Sequence, residues 1–348
     1  MTDAAPLRHA LEHLARGASL TAEAAGAAFD ALMRGEATAV ETAALLMGLR
    51  AKGETAEEVA GAAAALRRAM VRLEHDAAGA VDTCGTGGGR VGTLNVSTAA
   101  AFVVAGAGVA VAKHGNRSYT SRSGSADVLE ALGVDIALAP AQAAEVFRSV
   151  GMVFLFAPAY HPAMRHVGPV RRELGVPTIM NLLGPLANPA GVSRQVIGVS
   201  DGDRGPVLAE ALVRLGAHHA LVLHAEVGMD EISPCGPTDV WEVRDGGIRR
   251  WRVEPEEYQL DCEELDQLAG GEPQENARRI EGLLEGDGAR AVRCAVLLNA
   301  AAGLYVAGAA DTFGGAVELA ERAVRDGAAR GALERLRRAA PRTVSTSG

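Results

Sequence analysis

The stretch Asp82-Thr-Cys-Gly85-Thr-Gly87-Gly88-Gly89-Arg-Val-Gly92-Thr93-Leu-Asn95-Val96-Ser97-Thr98 marks a change of grammar in the chain. Five glycines within eight positions leave backbone N–H groups unshielded and able to approach an anion. A helix beginning near Ser97 aims its positive end at the same place. Such a turn could serve tight packing alone, but the hydroxyls of Thr93, Ser97 and Thr98 clustered with it favour a phosphate. Gly87-x-Gly89-x-x-Gly92 also fits a dinucleotide loop. That loop wants an acid about 20 residues on, for a ribose, whereas the next strand here ends in Lys113-His114. No GxxxxGK[ST] sequence occurs.

Before residue 75 the chain reads as helices only. Thr38-Ala-Val-Glu41 and Thr55-Ala-Glu-Glu58 are capping boxes, and Gly35 and Gly53 stand where the preceding helices should stop. After it, apolar runs at Val109–Ala112, Val153–Ala157, Val196–Ser200 and Leu221–His224 alternate with helical patterns at 97–106, 125–132, 140–150 and 205–216. That alternation predicts an α/β fold with a mostly parallel sheet covered on both faces, its ligands beyond the carboxyl ends of the strands. Residues 168–190, punctuated by Pro169, Pro177, Pro185 and Pro189, interrupt the alternation, with a helix expected over 168–174. A hairpin is expected at Asp239–Val243 and Ile248–Val253, then helices at 274–286, 288–308 and 314–338, and a frayed Thr343–Gly348.

A second loop, Lys113-His-Gly-Asn-Arg117-Ser-Tyr-Thr-Ser-Arg122-Ser-Gly-Ser125, follows a strand and precedes a helix. It is basic and rich in hydroxyls in an acidic protein, which again suits phosphate. A third feature, Gly228-Met-Asp230-Glu231, puts two carboxylates side by side after the strand 221–224. Adjacent carboxylates on one loop need a shared cation, and an oxygen site with few protein ligands suits Mg²⁺. His161 and His166 lack the spacing of a helical metal pair, and Arg171 is a candidate carboxylate clamp.

At 348 residues the chain has room for about two domains. Its 48% hydrophobic and 22% charged residues exclude a disordered protein. A net charge of −9 and only 3% aromatics argue against a general nucleic-acid binder, which needs cations for the backbone and rings for the bases. Cys84, Cys235, Cys262 and Cys294 form no CxxC pair, so a reducing cytoplasm is expected, without zinc or a disulfide framework. Neither a signal peptide nor a run of about 20 apolar residues is seen.

Taken together, these segments resemble the anthranilate phosphoribosyltransferases. The resembling residues are Asp82–Gly88, Asn95–Thr98, Lys113–Ser118, Ser123–Asp127, Phe156-Ala-Pro with His161–Met164, Asn181–Pro189, Gly228–Glu231 and Asn299–Tyr305. The resemblance implies a homodimer whose subunits pair a small helical domain, residues 1–74 with the insert 168–190, with a large α/β domain of the nucleoside-phosphorylase type over the rest of 75–348. It implies transfer of phosphoribose from phosphoribosyl pyrophosphate (PRPP) to the amine of anthranilate. PRPP would be held by Gly85, Gly88, Gly89, Thr93, Asn95, Val96, Ser97 and Thr98, and by Lys113, His114, Gly115, Asn116, Arg117, Ser118, Tyr119, Thr120, Ser121 and Ser125. Mg²⁺ would fall to Ser97, Asp230 and Glu231, anthranilate to Gly85, Asn116 and Arg171, and catalysis to Lys113, Asp230 and Glu231. The family's glycine loop usually ends Gly-Gly-Asp, and Gly89 stands at that last position here. A pyrimidine nucleoside phosphorylase and a non-catalytic nucleotide- or nucleic-acid-binding relative are the rival readings.

Overall fold

The computed structural model describes residues 5–87, 91–118 and 122–342. Gly88, Gly89, Tyr119, Thr120, Ser121 and the expected frayed end therefore lie outside the described residues.

Four helices open the chain: α1 (Ala5–Leu14), α2 (Ala22–Arg34), α3 (Ala39–Lys52) and α4 (Ala56–Ala69). Both capping boxes form, Thr38 with Glu41 and Thr55 with Glu58, and each satisfies free N–H groups of the first turn. Helix α2 ends on Gly35, whose φ of 72° only glycine adopts cheaply.

The sheet holds β1 (Val81–Gly85), β2 (Val111–Gly115), β3 (Met152–Phe156), β4 (Arg194–Gly198), β5 (His219–Ala225), β6 (Thr238–Arg244) and β7 (Gly247–Val253), in the order β3-β2-β1-β4-β5-β6-β7. The first five strands run parallel, and β6 and β7 form the expected antiparallel hairpin. Strand β1 was not legible as one: Asp82-Thr-Cys-Gly85 reads as loop but pairs along β4 from Val81 to Gly85. Because β2 and β4 flank β1 on opposite sides, the strand order reverses there, and the carboxyl ends of β1 and β4 are where a sheet of this kind receives its ligands.

Helices α5 (Val96–Gly106), α6 (Ser125–Ala131) and α7 (Pro140–Val150) connect the first three strands. Between β3 and β4 come α8 (Ala157–Tyr160), α9 (Met164–Leu174) and α10 (Met180–Leu186). Helix α9 starts four residues before the expected insert and packs on α2 and α3, while α10 packs on α4. Helix α11 (Arg204–Arg214) precedes β5. After the hairpin follow α12 (Pro273–Leu284), α13 (Arg290–Ala307), α14 (Phe313–Arg325) and α15 (Ala328–Ala339). The helix expected over 314–338 is thus broken, at Gly327 with φ 73°. Helix α13 is long and apolar enough to cross a membrane, but it is mostly buried against α5 and α14 as the central core helix.

Candidate active site

The site stands at the carboxyl ends of β1 and β4. Gly85 and Gly198 are register partners at the ends of these strands, and Asp230 lies across both. A Cβ at Gly85 would meet Asp230 Oδ2 at 2.4 Å, and one at Gly198 would meet the Asp230 carbonyl oxygen at 1.6 Å. The two strands end without side chains so that the acidic loop can sit down on the sheet.

The loop is fixed from three sides. Gly87 N–H donates to Asp230 Oδ2 at 3.0 Å. Thr93 Oγ1 donates to Glu231 Oε2 at 2.8 Å, and Ser97 N–H to Glu231 Oε1 at 3.3 Å. Behind the dyad, Asn299 on α13 accepts from Ile232 N–H at 3.0 Å and donates to the Ile232 carbonyl at 2.8 Å, as a neighbouring strand would. Burial raises the proton affinity of both carboxylates, and for Glu231 the neighbouring Asp230 adds to it.

Lys113 is 2% exposed, beneath the start of α5. Its Nζ donates to the Thr83 carbonyl and to Ser97 Oγ, the latter at 3.2 Å. Burial lowers its pKa, while Asp82, Cys84 and Glu231 oppose that shift. Asp82 is wholly buried in β1 and was assigned no role from sequence. It accepts from His114 N–H at 3.2 Å and from Asn188 Nδ2 at 2.8 Å, which ties β1, β2 and the segment after α10 together. Nothing in the sequence signalled this role, because β1 itself was not legible as a strand. Cys84 is a poor nucleophile, because burial and Asp82 push its thiol well above the ordinary range.

The second loop divides its predicted residues. Gly115 passes so close to Ser125 that a Cβ would lie 2.3 Å from Ser125 Oγ. Asn116 turns the chain, with its Oδ1 accepting from Arg117 N–H at 2.7 Å and its carbonyl from Ser125 Oγ at 3.3 Å. Arg117 is committed to Asp127 and Glu130, at 2.7 and 2.6 Å. Ser118 N–H donates to Asp127 at 3.2 Å. Asn95 is bonded to Ser123, and Thr98 and Val96 are buried in α5.

The α8–α10 segment packs directly against the end of β2. His114 Nδ1 is 3.2 Å from the Gly184 carbonyl of α10, and the His114 and His161 rings lie 5.1 Å apart. His114 Nε2 and both His161 nitrogens are buried without a well-formed hydrogen bond. Burial lowers the two imidazole pKa values to about 3 and about 4. Sequence reasoning set His161 aside as a metal ligand, quoted it only within a resembling segment, and missed its place against His114. Arg171 is half-buried in the last turn of α9, on the helical side.

The chain matches two models in tandem, a glycosyl transferase family helical bundle domain over residues 8–70 and a glycosyl transferase family a/b domain over residues 77–330. An anthranilate phosphoribosyltransferase of Rubrobacter xylanophilus is 49% identical over 97% of this chain and 98% of its own length. The chain belongs to the anthranilate phosphoribosyltransferase family. A crystal structure of the family from Thermus thermophilus superposes with a TM-score of 0.89 at 45% identity, covering 94% of this chain and 98% of that one. The Saccharomyces cerevisiae relative in complex with PRPP and Mg superposes with a TM-score of 0.87 at 28% identity, over 96% of this chain and 97% of that one. The same yeast protein has been solved with 4-fluoroanthranilate, with a TM-score of 0.86 at 27% identity over 97% of this chain and 98% of that one.

Proposed function

We propose that this protein transfers the 5-phosphoribosyl group of PRPP to the amine of anthranilate, releasing pyrophosphate, as a step of tryptophan synthesis. The observation that carries the reading is the Asp230-Glu231 dyad seated on Gly85 and Gly198, between the glycine loop and the start of α5. Carboxylates placed there would hold a cation whose charge offsets that of a departing pyrophosphate, and a phosphorylase working on free phosphate needs no such cation. The relatives named above support the same acceptor and donor.

The donor set is two carboxylates and the Ser97 hydroxyl, all hard oxygens, and it fits Mg²⁺. Bound by Ser97, Asp230 and Glu231, Mg²⁺ would neutralise charge on the departing pyrophosphate. The α5 N-terminus contributes only about 0.3–1 kcal/mol per contact, up to roughly 2 when partly buried, too little alone for a pyrophosphate in an acidic protein. Lys113 adds a fixed positive charge under the site. Because Ser97 Oγ accepts from Lys113, the serine keeps its own hydrogen to donate. The glycine-loop N–H groups and the turn at Asn116–Ser125 orient the phosphates. Arg171, on the opposite side, takes the anthranilate carboxylate, with Asn116 and Gly85 along its path. The acceptor nitrogen is an aniline, uncharged at neutral pH, so the chain needs to supply placement rather than a strong base.

The same reading makes residues 1–74 with 168–190 a small helical domain that closes one side of the site, and the rest of 75–348 a PRPP-binding domain. It makes the working form a cytoplasmic homodimer. The test is loss of anthranilate fluorescence with PRPP and Mg²⁺, with uracil and thymine as competing acceptors. Turnover with anthranilate alone is expected. Phosphorolysis of uridine or thymidine without PRPP would replace this reading with that of a phosphorylase.

A further inference from the structure

The two loops assigned to PRPP come from different strands, and glycine-rich segments have little stiffness of their own. They meet at Asn95. Its Nδ2 donates to the Ser123 carbonyl at 3.0 Å, and Ser123 Oγ donates back to Asn95 Oδ1 at 3.2 Å. A third residue completes the junction from a part of the chain that carries no motif. Asn276, in the first turn of α12 and 1% exposed, donates Nδ2 to the same Asn95 Oδ1 at 3.1 Å. Its own Oδ1 accepts from Gly271 N–H at 2.8 Å.

The segment leading into α12 is laid along the glycine loop. Leu94 N–H donates to the Leu268 carbonyl at 2.8 Å and Gly270 N–H to the Gly92 carbonyl at 2.9 Å, around an antiparallel bridge of Thr93 with Ala269. A Cβ at Gly270 would stand 2.5 Å from the Thr93 carbonyl oxygen. Further along, α12 packs on α6, the helix into which the second loop runs. Residues 268–284 thus touch the first loop at one end and the second loop's helix at the other.

We propose that this segment is a bracket that fixes the separation of the two loops, and that Asn276 is its positioning residue for PRPP. The proposal rests on the assignment of both loops to PRPP made above. Asn95 and Asn276 turn their amides to each other and to the protein, so they act by holding the loops in their binding geometry before the ligand arrives. A site held in its bound shape loses less ordering free energy on binding.

Asn276→Asp keeps an acceptor for Gly271 N–H but faces Asn95 Oδ1 with a carboxylate oxygen in place of a donor. Asn276→Ala removes both bonds. The PRPP Kd by calorimetry and the PRPP KM are expected to rise about tenfold in Asn276→Asp, with the anthranilate KM and kcat each within about threefold of the parent. Thermal unfolding run in parallel covers the case in which Asn276→Ala folds poorly. Ser97→Ala and Ser125→Ala serve as loop controls. If they leave PRPP affinity unchanged, the loop assignment fails and takes the bracket's role with it. If they weaken PRPP while Asn276→Asp does not, or while Asn276→Asp changes both substrates and the melting temperature alike, the bracket is scaffold only and the proposal is overturned.

Discussion

Glu231 is held by two neutral donors, the Thr93 hydroxyl and the Ser97 N–H, beside a second buried carboxylate. Its folded-state pKa lies above the ordinary 4.5, so at neutral pH the ionised form costs the folded protein stability. That cost is largest above the raised value and fades as pH falls toward 4.5, where the unfolded chain also takes up the proton. Glu231→Gln should therefore stabilise the metal-free protein by on the order of 1–3 kcal/mol at pH 8 while turnover collapses. Differential scanning calorimetry in EDTA, set beside the fluorescence assay, checks both halves. A variant that is less stable and still active would mean the carboxylate does not face a metal. Arg171 makes a separate claim. A charged hydrogen bond is worth about 1.5–3 kcal/mol, so Arg171→Ala should raise the anthranilate KM roughly 10- to 100-fold. PRPP affinity should change far less. Loss of PRPP binding with an unchanged anthranilate KM would make Arg171 a phosphate ligand instead.

At the scale of elements, the ends of β1 and β4 bear the tightest constraint. Gly198→Ala puts a methyl group where the Asp230 carbonyl oxygen lies, and backbone cannot swing aside as a flexible side chain can. The variant should keep the parent's far-ultraviolet circular dichroism but need about tenfold more Mg²⁺ for half-maximal rate. An unaltered Mg²⁺ response would show that the acidic loop is not anchored there. This anchoring also explains what the sequence could and could not disclose. The capping boxes, the parallel strands after β1 and the acidic dyad are local patterns, each readable within a few residues. Strand β1 hid because Asp82 and Thr83 are polar yet buried, satisfied by partners on β2, α5 and the segment after α10. Helix α10, only seven residues long, hid behind Gly184 and Pro185 and forms because α4 covers it. Asn276, and the role of Asn299 within its resembling segment, were beyond reach for another reason. Their partners lie 181 and 67 residues away, and a single asparagine in a helical stretch carries no pattern.

For the molecule as a whole, the buried histidine pair between β2 and the α8–α10 segment sets an acid limit. His114 and His161 stay neutral in the folded protein down to about pH 3 and 4, whereas in the unfolded chain each takes a proton near 6.5. Their folded pKa values are depressed, so stability is intact above pH 6.5 and falls as the pH drops from there toward 4. The limiting slope is about 1.4 kcal/mol per pH unit for each ring. The buried carboxylates act in the opposite sense, so the comparison has to be made with a variant. In His161→Leu, urea unfolding between pH 6.5 and 4 should lose stability less steeply than the parent, by about one such slope. Equal slopes would show that His161 is charged in the folded state.

The order in which the site's parts leave the ribosome follows from the bracket and the Asn299 clamp. The glycine loop and the basic loop are synthesised before residue 126, the acidic dyad about a hundred residues later, Asn276 and Asn299 later still. At roughly 5–20 residues per second, the nascent chain carries both loops for several seconds before Asn276 can brace them. A chain halted at residue 225 would have the glycines of β1 and β4 with nothing seated on them. On the proposed reading, the site is thus completed from the C-terminal side of the chain.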